Sequence, residues 1–130
     1  MALGKRIKIG GGYYKGYKVA VAGGLGDYSQ VIVEAKGYAM NAISVVPDFY
    51  GAGDTMSLKH HKDAAGAGAV IAILAEDINN VGANASVQFD FPAAELINAG
   101  ESVKFIYTNA AGVAGNVYLV VELVGIKKTV

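Results

Sequence analysis

Short runs of β-branched and aromatic residues, broken every few positions by glycine or asparagine, dominate this chain and restrict the folds open to it. YKVAVA (residues 17–22) sets Tyr17, Val19 and Val21 on one face of an extended segment, because side chains alternate along a strand. QVIVEA (30–35) and AISVVP (42–47) are β-branched, the second stopped by Pro47. TMSLKH (55–60) alternates Met56 and Leu58 with Ser57 and Lys59. AVIAILA (69–75) is apolar throughout, the pattern of a strand covered on both faces. SVQFDF puts Val87, Phe89 and Phe91 on one side, and SVKFIYT does the same with Val103, Phe105 and Tyr107, so Phe89 and Phe105 are expected in the core. NVYLVVELVGI (116–126) completes eight candidate strands.

The connectors GGLGD, DFYGAGD, DINNVGAN and NAAGVAGN consist of turn residues. No amphipathic helix of 10–15 residues separates the strands, which argues against parallel βαβ units and for an antiparallel β-sandwich or barrel. PAAELINAG alone reads as helical, a short turn near residues 92–99 with Pro92 at its start and Gly100 at its stop. At 130 residues the chain is expected to form one all-β domain over residues 17–130, preceded by a flexible basic arm, residues 1–16.

Charge sharpens that division. Lys5, Arg6, Lys8, Lys15 and Lys18 all precede the first acid, Asp27, so the first 18 residues carry +5 and the remainder of this net-neutral chain −5. Only 17% of residues are charged against 53% hydrophobic, and so few charges leave apolar surface to face another protein. Cysteine is absent, which removes disulfides, thiolate nucleophiles and cysteine zinc sites. MALGKRIKIGGGYYKGY is basic with no continuous apolar stretch behind it, unlike a secretory signal. The longest apolar run, residues 65–75, is short of the roughly 20 residues a membrane span needs. The expectation is a soluble protein made inside a cell, with no membrane partner.

DFYGAGDTMSLKHH (48–61) holds both histidines and two aspartates and is the first place to look for chemistry. His60 and His61 are adjacent, so on a strand they point to opposite faces, and only one of them can join Asp48 and Asp54. The stretch lacks the alternating oxygen ligands and terminal glutamate of a calcium loop. It reads best as a turn whose aspartates bond their own backbone. GAGAV (66–70) and GGLGDYS (23–29) are both followed by strands, whereas a dinucleotide loop opens a helix, and no GK[ST] occurs. Ser29, Ser44, Ser57, Ser86 and Ser102 lie outside any G-x-S-x-G elbow. Glu76 with Asp77, and Glu95 with Glu101, are carboxylate pairs of the type that can cleave glycosides, though acids at strand ends are usually solvated. No catalytic residue, metal ligand or cofactor is expected.

Tyr13, Tyr14 and Tyr17 interleave with Lys15 and Lys18 after three glycines at residues 10–12. Tyrosine buries a large area at little rotamer cost, so this segment suits anchoring to a neighbouring subunit more than stacking on bases or sugars. The residues expected to bind a partner are Lys5, Arg6, Lys8, Tyr13, Tyr14, Lys15 and Tyr17. Nucleic acid is not the expected partner.

NAISVVPDFYGAGDTMSLKHH, FPAAELINAGESVKFIYTN and VYLVVELVGIKK together resemble, in strand pattern and loop style, small β-sandwich structural proteins of bacterial viruses, single jelly-roll capsid and capsid-decoration (cement) proteins. The resemblance spans residues 17–128. It implies a jelly-roll-like sandwich, a place in the virion after synthesis in the bacterial host cytoplasm, a homo-oligomer such as a trimer, attachment to a major capsid protein, and no catalytic residues. Two other readings compete: a carbohydrate- or receptor-binding sandwich, and a small metal-dependent hydrolase using Asp48, Asp54 and one histidine.

Overall fold

The computed structural model describes residues 13–32 and 37–125. They form eight strands: β1 (Tyr13–Val21), β2 (Gly26–Ile32), β3 (Tyr38–Pro47), β4 (Thr55–His61), β5 (Val70–Asn79), β6 (Val87–Ile97), β7 (Ser102–Asn109) and β8 (Gly115–Gly125). One sheet runs β1-β8-β3-β6 and the other β2-β7-β4-β5, all pairs antiparallel.

The pairing follows one rule. β1 pairs with β8, β2 with β7, β3 with β6 and β4 with β5, so the chain is a single long hairpin whose tip is the β4–β5 loop. Partner residue numbers add to 136 where Tyr13 meets Leu123 and to 131 where His61 meets Val70, a drift absorbed mainly at bulges in the β3–β6 and β4–β5 ladders. Rolling this hairpin so that β3 also meets β8, and β4 meets β7, gives the eight-stranded jelly roll. The sandwich expected from the strand pattern is therefore present, with the strand order added.

Alternation decides the core. Val19 and Val21 of β1, Ile43 and Val45 of β3, Met56 and Leu58 of β4, Val103, Phe105 and Tyr107 of β7, and Val117, Leu119, Val121 and Leu123 of β8 fill the space between the sheets. Phe105 is fully buried as expected, whereas Phe89 is only half-buried against the cluster because β6 lies at a sheet edge.

Three expectations change. Residues 92–97, read as the start of a helical turn, are strand in β6. Tyr38, Ala39 and Met40 of β3 offer ladder partners to Ile97, Leu96 and Glu95, and that pairing outweighs the weak helix preference of AAELI. Pro92 falls where the ladder to β3 is interrupted, between Asp90 and Glu95, on an edge strand that tolerates a missing N–H. Gly100, at φ 87°, turns the chain between β6 and β7 instead of ending a helix. Second, the boundary of the sandwich moves: β1 begins at Tyr13, so residues 13–16 belong to the sheet, and residues 1–12 lie outside the described residues. Third, β5 is an edge strand with one covered face: Leu74 and Ala75 pack against the core, while Val70, Ile71 and Ile73 are exposed.

Candidate functional site

The bend at residues 48–54 is held by a buried carboxylate. Asp54 is fully buried just ahead of β4, and its Oδ2 accepts the Tyr107 hydroxyl at 2.6 Å. Its Oδ1 accepts the backbone N–H groups of Ala110 and Ala111 at 2.7 and 2.9 Å. Asn80 closes the network, donating from Nδ2 to Tyr107 Oη and to the Phe49 carbonyl, while its backbone N–H donates to the Asp54 carbonyl. A Cβ on Gly51 would run into the Asp54 carboxylate, so glycine there makes room for the anion. Burial, and then the hydrogen bond to Asp54, push the Tyr107 phenol well above its ordinary range. One carboxylate thus ties the β3–β4 turn to the β7–β8 loop, and through Asn80 to the start of the β5–β6 loop.

Asp48 does different work nearby. Its Oδ1 accepts the Asn116 N–H at 2.8 Å, and the Asp48 N–H donates to the Asn116 carbonyl at 2.9 Å. Both aspartates therefore bond backbone, but backbone 56 to 68 residues away, at Ala110, Ala111 and Asn116, and not that of their own turn as the sequence led us to expect.

His60 and His61 point to opposite sides of β4. His61 Nδ1 lies 3.0 Å from the Gly68 carbonyl in the β4–β5 loop. His60 is 3% exposed and sits between two carboxylates, Nδ1 at 2.8 Å from Glu95 Oε2 and Nε2 at 2.8 Å from Glu101 Oε1. The ring thereby links β4 of one sheet to β6 of the other and to the β6–β7 turn. Glu95 and Glu101, paired in the sequence reading as possible glycosidase acids, are spanned by this imidazole. The partners lie 35 and 41 residues from His60, a separation that strand alternation and spacing do not encode.

The backbone N–H of Asn98, and then His60, hold the Glu101 carboxyl below the ordinary glutamate value of 4.5. The folded state holds this proton less tightly than the unfolded chain. Its stabilisation is therefore full above about pH 4.5 and is lost as pH falls through the lower folded value. Glu101→Gln is expected to flatten the acid side of the stability profile, read as thermal midpoints from about pH 6 to about pH 3. Parallel curves for the two proteins would remove Glu101 from the acid response.

Asp48, Asp54, His60 and His61 thus have separate partners and do not converge. Among the described residues, no three histidine, aspartate or glutamate side chains are placed to hold a metal ion.

What stands open is surface. On the outer face of the first sheet, Tyr14, Tyr118 and Val120 are exposed, with Gly16 opposite Val120 and Lys18 opposite Tyr118. Along the edge of the second sheet, Val70, Ile71 and Ile73 are 45%, 47% and 57% exposed. Of the residues expected to bind a partner, Tyr14 is on the outer face, while Lys15 and Tyr17 are half-buried, the Lys15 ammonium lying 5.8 Å from the Tyr17 ring centroid. Tyr13 opens β1, and Lys5, Arg6 and Lys8 lie outside the described residues. The β5 edge was missed in the sequence because an apolar run with no polar alternation reads equally as a doubly covered strand.

No family model matches this chain, and no curated protein matches it. Among solved structures, a chain of the cyanophage Pam1 capsid asymmetric unit aligns over 95% of this chain and 93% of that one, with 17% identity and a TM-score of 0.46.

Proposed function

We propose that this chain is a structural subunit of a virus particle, decorating or cementing a capsid shell through contacts with copies of itself and with a major capsid protein, without a catalytic step. The observation that carries this reading is the β5 edge. Sheet edges in stand-alone proteins are guarded by charge, proline, bulges or shortness, because an apolar edge recruits other strands. Residues 70–74, VIAIL, contain neither charge nor proline, so that of these guards the stretch has only the bulges of the β4–β5 ladder. Left bare, such a segment is an aggregation site, and buried in an assembly it is an interface.

Further support comes from the apolar outer face around Tyr118 and Val120, from the low charge, and from the sequence resemblance to small virion proteins. The jelly-roll order provides two broad faces and two pairs of edges for such contacts. The polar residues that first invited a catalytic reading are spent on tying turns and sheets together.

Size-exclusion chromatography with light scattering on the purified chain tests the reading. A discrete oligomer, a trimer among its possible sizes, or a larger particle is expected at micromolar concentration. A monomer at every concentration would remove the self-association on which the reading rests.

A further inference from the structure

We propose that the end of the sandwich where the β1–β2, β3–β4, β5–β6 and β7–β8 loops meet docks against the same end of a second copy of this chain. This inference rests on the assembly role above and names one contact through which copies join.

Antiparallel pairing gathers those four loops. Val21 of β1 lies opposite Gly115 of β8, Pro47 of β3 opposite Val117, and Gly26 of β2 opposite Asn109 of β7. Thr55 of β4 is paired to both Thr108 and Asn79, which brings the end of β5 to the same place. Each loop holds one large apolar side chain out to solvent: Leu25, Tyr50, Val81 and Val113, between 38% and 73% exposed. Residues 22–25, 49–53, 80–86 and 110–114 contain no charged side chain at all. Charge begins at the rim, where Asp27 accepts the Thr108 hydroxyl and Asp48 accepts the Asn116 N–H. An uncharged, apolar centre inside a polar rim is the composition of a protein interface.

The loops are fixed to one another as well. Asn109 donates from Nδ2 to the Gly24 carbonyl at 3.1 Å, joining the β1–β2 and β7–β8 loops. Asp54 joins the latter to the β3–β4 turn, and Asn80 joins that turn to the β5–β6 loop. The Asn84 N–H adds a bond to the Pro47 carbonyl at 2.7 Å. A surface already ordered has little freedom left to lose on binding, so its apolar contacts count more fully toward association.

Charge selects the occupant. Anionic lipid surfaces attract lysine and arginine, and these loops have neither. Head-to-tail stacking would press the uncharged end onto Lys62, Asp63 and Glu101, which stand in the β4–β5 and β6–β7 connections at the other end. Those charges would leave water without gaining partners. Same end on same end sets uncharged surface against uncharged surface, the self-complementarity that a two-fold contact requires.

The full chain provides the test. It contains no cysteine, so Leu25→Cys, Tyr50→Cys, Val81→Cys and Val113→Cys variants can be gently oxidised, alone and in pairs. Ala64→Cys, at an exposed position in the β4–β5 connection, is the control. At least one combination of loop-end variants is expected to give a covalent dimer well above Ala64→Cys, whether that is alone or mixed with them. In parallel, a Leu25→Lys, Val81→Lys double variant charges two exposed tips. It is expected to leave the far-ultraviolet circular dichroism unchanged and to reduce the oligomer to smaller species in light scattering. Loop-end cross-linking no greater than control, or a double variant of wild-type size, overturns this docking while a wild-type oligomer keeps the assembly role intact. Cross-linking strongest between Val81→Cys and Ala64→Cys would make the contact head-to-tail and overturn it too. A wild-type protein that is monomeric throughout overturns both.

Discussion

Replacing Asp54 by alanine is expected to destabilise the protein by about 4 kcal/mol. The carboxylate receives one hydroxyl and two backbone N–H donors, all from the β7–β8 region, and hydrogen bonds to a charged acceptor are worth roughly 1.5–3 kcal/mol each, not strictly additively. Alanine removes the acceptor and leaves three donors at a buried position, so the loss includes their desolvation. Asp54→Asn keeps the volume and one carbonyl oxygen for the two N–H groups. Its amide, however, faces a Tyr107 oxygen that already accepts from Asn80, and about 2 kcal/mol is expected. Against a typical stability of about 5–15 kcal/mol, the alanine loss is a large share of the total. Denaturant midpoints with unchanged slope would measure both, and a loss below about 1 kcal/mol for Asp54→Ala would show that the three loops hold together without this anion.

Phe105→Ala should be as severe, about 4 kcal/mol, because a fully buried phenylalanine in the middle of a sheet leaves both its transfer energy and a cavity behind. Its neighbours across the ladder are Gln30 on β2 and Leu58 on β4, so strands flank it on both sides and resist collapse into the space. Phe89 is a useful contrast. It is half-buried on edge strand β6, where solvent can fill part of the vacated space, and about 1–2 kcal/mol is expected for Phe89→Ala. Equal losses at the two positions would mean that the β5–β6 edge is packed as tightly as the centre.

The two buried polar networks explain why DFYGAGDTMSLKHH resembles a site. Aspartate and histidine are rarely buried without partners, so a burst of them between strands signals either chemistry or a tie. Here Asp54 ties loops at one end of the sandwich and His60 ties the two sheets near the other. The turn reading of the bend was available from its composition, since aspartates in glycine-rich turns bond backbone readily. The identity of the partners was not, because Tyr107, Ala110, Glu95 and Glu101 reach it only after the hairpin has rolled.

Alternation and turn chemistry are local properties, and from them the sequence by itself determined an all-β sandwich, eight strand segments close to those observed, and the inward faces of β1, β4 and β7. Three matters belonged to the tertiary structure alone. The ladder offered by β3 turned residues 92–97 from helix to strand, since hydrogen-bonding partners distant in sequence outweigh a propensity of a few tenths of a kcal/mol per residue. The nested register placed β5 at an edge and so exposed Val70, Ile71 and Ile73 of VIAIL, a run whose composition is the same whether a strand is central or peripheral. The roll brought His60 between two glutamates 35 and 41 residues away, a convergence that depends on which strands become neighbours and not on the order in which they occur.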